Sequence, residues 1–330
     1  MDNLVSVMER RQIPLYLAAL LVGGAVGLLF PGVSDGASSA VNPVLALLLY
    51  ATFLGIPLRR VWATLRDGRF LVTVAVVNFV VAPAVAWLVT RPVASDEVLL
   101  VGALFVLLAP CIDYVIVFTG LAGGAADRLL ATAPLLMLVQ MALLPVFLWA
   151  FLGTGVVADI DPAPFVEAFV VLILLPLCAA GLTQLVPSPA GDRVRGTVGA
   201  AMVPLMMLTL AVVVAAQIAE VNRQWSSLVR VVPVYVLFAL AMTAAGWAVG
   251  WTAGRLWGTG PAARRALVFT GVTRNSLVVL PLVLALPAGY DLAPLVVVTQ
   301  TLVELVVMVV LVRLVPLLVP LRGAEPPGRS

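Results

Sequence analysis

Asp113, Arg274, Glu304 and the thiol of Cys111 stand well inside otherwise apolar stretches of this 330-residue chain. Cys111 and Asp113 lie in Ala109-Pro110-Cys111-Ile112-Asp113, Arg274 in Thr273-Arg274-Asn275-Ser276, and Glu304 in Thr299-Gln300-Thr301-Leu302-Val303-Glu304. A thiol is a soft ligand for a thiophilic metal or metalloid, a carboxylate takes a proton or a hard cation, and a guanidinium pairs with an anion. Together they suit the binding of a small solute or ion. Catalysis is not expected, because the chain has no histidine, no P-loop and no G-x-S-x-G nucleophile elbow. No cofactor is expected either, and without a nucleotide-binding loop any transport draws on an ion gradient.

The surroundings of these residues define the class of protein. Hydrophobic residues make up 63% of the chain and charged ones 11%, against roughly 45–50% apolar in soluble domains, and the mean hydropathy is +1.16. Such a chain belongs in a lipid bilayer. Its net charge of +3 comes from arginines spread over short loops, not from a basic tract, so nucleic acid is not an expected partner. Both cysteines lie in apolar segments, which argues against a disulfide framework and a zinc site. Cys178, beside Pro176 and Gly181, reads as an inert core residue.

With about 20 apolar residues needed per span, ten segments stand out, near 12–30, 40–57, 70–90, 97–120, 128–152, 164–186, 197–219, 229–254, 263–287 and 291–318. The chain reads as a single membrane domain, 1–330. Arg10 and Arg11 ahead of the first apolar run resemble a secretory leader in outline, yet removing that run would break the repeat described next. An N-terminus inside places Arg10, Arg11, Arg59, Arg60, Arg66, Arg69, Arg128, Arg193, Arg195, Arg255, Arg264, Arg265, Arg322 and Arg329 in the cytoplasm. Only Arg91, Arg223 and Arg230 then fall outside, so both termini are expected to be cytoplasmic in a multi-pass protein of the plasma membrane.

The fourth and ninth segments are each interrupted by polar residues, about 164 positions apart. That spacing points to two five-helix repeats, 12–152 and 164–318, inserted in opposite senses. Pro110 removes a backbone donor and disfavours helix at Ala109, whereas the ninth segment has only polar side chains at the equivalent place. At 1.5 Å per residue, Cys111 falls roughly 20 Å along its segment from Glu97, Arg274 roughly 17 Å from Ala263 and Glu304 roughly 20 Å from Asp291. All three are near mid-bilayer.

An ion at that depth costs about 2.5–3.5 kcal/mol on insertion scales, so each must be paired, hydrated or protonated. Arg274 either bridges Asp113 or Glu304 to hold the halves together, or belongs to a site facing the half-helix ends. Asn275 and Gln300 rank next as lining residues, with Ser276 a further candidate for ion coupling. Asn78, Gln140, Thr299 and Thr301 either line the cavity or merely bond between helices.

The run Ala109-Pro110-Cys111-Ile112-Asp113-Tyr114-Val115, followed by Val117-Phe118 and Gly123-Gly124, resembles the arsenite-efflux branch of the bile acid:sodium symporter superfamily, in a divergent subgroup. Glu304 matches that branch's glutamate in the last helix. The resemblance implies an all-α fold of ten helices in inverted repeats, split into panel and core, with broken helices four and nine crossing at the site. It implies that Cys111 contacts the metalloid and that Glu304 is an ionisable partner. The chain departs from the branch at Arg274 and Asp113, where an asparagine-rich stretch and small residues are usual.

The leading expectation is an antiporter-like secondary transporter that exports trivalent arsenic, arsenite and also antimonite, with Cys111, Glu304, Arg274 and Asn275 meeting the solute. Asp113, Glu304, Ser276 and Gln300 would carry the coupling ion, a proton or sodium. The alternative is sodium-coupled symport of an organic anion, with Arg274 on its carboxylate or sulfonate. A third reading, a membrane enzyme or a ligand sensor, lacks any catalytic constellation.

Overall fold

Inside a bilayer no water is available to the backbone, so apolar runs of this length must bond within themselves as helices. The computed structural model describes residues 7–8, 11–30, 32–55, 67–111, 114–158, 163, 167, 170–185 and 189–321, and among them there is no strand. The principal helices are α1 (Gln12–Leu29), α2 (Val33–Gly55), α3 (Gly68–Val76), α4 (Ala82–Val89), α5 (Glu97–Leu107), α6 (Tyr114–Leu121) and α7 (Ala126–Ala158). After these come α8 (Leu175–Leu185), α9 (Pro189–Arg223), α10 (Val232–Trp257), α11 (Pro261–Val272), α12 (Ser276–Leu284) and α13 (Ala293–Leu318). Six stretches of the described residues are long and apolar enough to cross a membrane unbroken: Gly36–Gly55, Gly68–Val89, Leu135–Gly153, Gly191–Ala216, Trp225–Trp257 and Ala293–Leu318.

Local chemistry sets the helix ends. Asp67 and Asp96 cap α3 and α5 by accepting the Phe70 and Leu99 N–H groups, each at 3.3 Å. At Gly258 the backbone turns left-handed (φ 69°) to end α10, and Pro261 then opens α11. Between α3 and α4 the chain stays helical through a π turn, Val77–Val81, which widens the helix at Asn78.

The helices pack in two groups. In one, α9 lies along α1 and α2, and α8 lies on α2. In the other, α10 packs on α11, α5 and α12 pack on α13, and α3 and α4 lie against α10 and α11. Membrane helices gain little from burying apolar surface, so close approach of backbones matters more. Gly102 is such a contact: a Cβ there would lie 2.9 Å from the Val296 side chain and 3.0 Å from the Ala293 carbonyl oxygen, on the helix that carries Glu304.

Two expectations are corrected. The second helix begins at Val33 instead of near 40, because Ser34 to Ser39, polar enough to read as a loop, continue the helix. As their polar interruptions led one to expect, the 97–120 segment is broken into α5 and α6, and the 263–287 segment into α11 and α12. Cys178 is exposed on α8, not buried in a core; lipid is as apolar as a protein interior, so a cysteine suits either side of a membrane helix.

Candidate functional site

The two interruptions cross. Pro110 and Arg274 form an isolated antiparallel bridge, in which the Cys111 N–H donates to the Thr273 carbonyl at 3.2 Å and the Asn275 N–H donates to the Ala109 carbonyl at 2.7 Å. Each break thus supplies the partners that the other lost, which is how unwound backbone survives at this depth. The ninth-segment break, which no proline marks, is as complete as the fourth. Four short helices end at the crossing: α5 and α11 bring their C-termini, α6 and α12 their N-termini.

The side chains expected at the site are buried here. Cys111 is 2% exposed, Arg274 0%, Asn275 and Ser276 2% each, Gln300 3% and Glu304 4%. One Glu304 oxygen, Oε2, accepts the main-chain N–H of Arg274 at 2.8 Å and also a hydrogen bond from Gln300 Nε2. Asn275 caps α12 by accepting the Val278 N–H at 3.1 Å. Thr301, one turn beyond Val297 on α13, donates to Ser276 Oγ at 2.7 Å. Asp113 lies outside the described residues.

The Arg274 guanidinium runs from the crossing to the π turn. It donates to Asn78 Oδ1 at 3.1 Å, to the Thr270 carbonyl at 2.9 Å, to the Gly271 carbonyl, and to the Leu107 carbonyl at 3.4 Å. Its carbon sits 5.3 Å from the centre of the Phe238 ring, within cation–π range. Asn78 also donates to Thr270 Oγ1 at 3.0 Å. Beside this cluster lies a cavity with room for about one water molecule, lined by Leu107, Tyr235, Phe238, Gln300 and Glu304 among others.

The structure therefore brings Cys111, Arg274, Asn275, Ser276, Gln300 and Glu304 together and raises Asn78 from a minor candidate to a direct partner of Arg274. Thr299 donates within its own helix, to the Leu295 carbonyl at 2.8 Å. Gln140 is buried on α7, and among the described residues no hydrogen bond ties it to the crossing. Phe238, Tyr235 and Thr270 were not foreseen. Only Thr270 left a signal, as a polar residue four positions before Arg274. Among the described residues, no three acidic, histidine or cysteine side chains gather to hold a metal ion.

The profile of the SBF-like CPA transporter family, relatives of the bile acid:sodium symporters, matches residues 20–317, well over half of the chain. The chain belongs to the SBF-like CPA transporter family. No curated protein matches it. Membership in the SBF-like CPA transporter family makes this a secondary transporter of a small solute, and its apolar helices make it a multi-pass membrane protein. The family match spans both sides of the crossing described above.

Proposed function

We propose that this protein exports trivalent arsenic, as arsenite and its heavier analogue antimonite, by alternating access at the crossing of its broken helices. The observation that carries this reading is the position of Cys111: a buried thiol held by main-chain pairing within the crossing, one residue from the Pro110–Arg274 bridge. Trivalent arsenic is soft and binds thiolate sulfur. A single cysteine gives a bond weak enough for turnover, where three would sequester the metalloid.

The panel and core of such a transporter correspond to the two packing groups, with α9 and α13 meeting between them. The protein is built as a single domain, 1–330, of ten spans in two inverted repeats, 12–152 and 164–318, and lies in the plasma membrane with both termini cytoplasmic. Glu304, and Asp113 outside the described residues, exchange the coupling proton. Growth of an efflux-deficient host on arsenite and antimonite tests this. Expression of the wild type should restore growth, and Cys111→Ser and Glu304→Gln should not. Equal resistance from Cys111→Ser, or none from the wild type, would overturn the reading.

One observation favours the second reading, sodium-coupled uptake of an organic anion. Gln300 donates to Glu304, Thr301 on the same helix donates to Ser276, and among the described residues the buried Gln300 Oε1 has no hydrogen-bond donor. Such an oxygen suits sodium. Uptake of a carboxylate or sulfonate that disappears when choline replaces sodium, in cells without an arsenite phenotype, would establish it.

A further inference from the structure

The breaks in the fourth and ninth segments leave a set of carbonyl oxygens in need of positive charge. In an unbroken helix the Leu107, Thr270 and Gly271 carbonyls would accept from the N–H groups four residues on, at Cys111, Arg274 and Asn275. All three N–H groups are diverted, to the Thr273 carbonyl, to Glu304 and to the Ala109 carbonyl respectively. The three freed carbonyls lie at the C-terminal ends of α5 and α11, where helix dipoles add partial negative charge. Asn78 Oδ1 and the face of Phe238 complete the enclosure. Main-chain carbonyls at half-helix C-termini, with one amide oxygen, are the donor set that binds a hard monovalent cation.

We infer that this oxygen shell is a monovalent-cation site, and that the chain fills it permanently with its own cation, the guanidinium of Arg274. Each freed carbonyl receives an N–H from Arg274, so the side chain reproduces the coordination that a bound ion would supply. A tethered cation does not dissociate, so the crossing keeps its charge through every state of the transport cycle. No soluble ion is then needed to hold α5 and α11 together. The inference concerns the cation at the crossing and stands whichever cargo moves past it.

Vacating the shell tests this without any transported substrate. Purified wild type, Arg274→Ala and Arg274→Met are melted in detergent with choline, sodium or non-denaturing guanidinium chloride at equal ionic strength. The wild type, its shell already filled, should melt at the same temperature with choline or guanidinium. Arg274→Ala should melt lower in choline and gain about 3 °C in guanidinium or sodium at roughly tenfold excess over its Kd. Adding Asn78→Leu should abolish that gain.

Arg274→Ala that folds and melts alike in all three salts overturns the inference. So does Arg274→Met reaching wild-type stability in choline, since the oxygens would then need no cation. If neither variant can be recovered in choline, recovery in guanidinium or sodium supports the site, and failure in every salt counts against it.

Discussion

The main-chain N–H of Arg274 donates to Glu304 Oε2 at 2.8 Å, while the Arg274 side chain extends the other way to Asn78 Oδ1 at 3.1 Å. One residue thus joins the last helix to the π turn of the third span through the middle of the crossing. Its two ends serve different purposes. The backbone satisfies a carboxylate, and the guanidinium collects the carbonyls that the helix break released. Substitutions that touch the two ends should therefore separate.

At the backbone end, Glu304→Ala leaves the Arg274 N–H buried without its acceptor, a loss of about 1–3 kcal/mol. Glu304→Gln keeps an acceptor oxygen of the same reach. Thermal melting in detergent should show the alanine variant several degrees below the wild type and the glutamine variant close to it. Flux should fall at least tenfold in both if the carboxylate carries the coupling proton.

At the side-chain end, Asn78→Ala removes the amide oxygen that receives Arg274 and the amide N–H that reaches Thr270 Oγ1 at 3.0 Å. With the bond from Asn78 Nδ2 to the Val74 carbonyl at 3.0 Å, three buried hydrogen bonds, one of them to a charged group, amount to about 2.5–6 kcal/mol. The melting temperature should drop by about 2–4 °C per kcal/mol. Asn78→Asp, which preserves the acceptor, should lose less.

Packing supports the site from further away. Gly102→Leu forces a side chain against Val296 and the Ala293 carbonyl, the first turn of the helix that carries Glu304. Overpacking of this kind costs about 1–3 kcal/mol. Reduced stability should be accompanied by reduced flux, measured on equal amounts of folded protein, because α13 must shift relative to α5. Flux at the wild-type level would show that the crossing tolerates that shift.

Arginine placement predicts both termini in the cytoplasm. A fluorescent reporter that matures only in the cytoplasm should light up at either terminus, and a phosphatase active only outside should be silent there. The reverse pattern at either end would change the number of spans.

Much of this arrangement was legible in the sequence. Apolar length located the six stretches of the described residues that are long enough to cross a membrane, and polar residues located both breaks, because a bilayer leaves few other reasons for Arg274 or Glu304 to be there. Sequence spacing could not give the direction of the Arg274 side chain, since a long guanidinium reaches Glu304, Asp113 or Asn78 equally well. Asn78 had no visible link to position 274, because their contact depends on a π turn that widens the helix at that point. Cys178 was misplaced for a different reason: hydropathy does not separate a lipid-facing surface from a protein core.

The most direct measurement is arsenite accumulation in everted membrane vesicles from an efflux-deficient host, comparing wild type with Cys111→Ser at matched expression. The expected result is energised accumulation by the wild type and at least a tenfold loss in the serine variant, with its melting temperature unchanged. Equal accumulation by the two, or none above empty membranes, would contradict a role for the Cys111 thiol in carrying arsenite through the crossing.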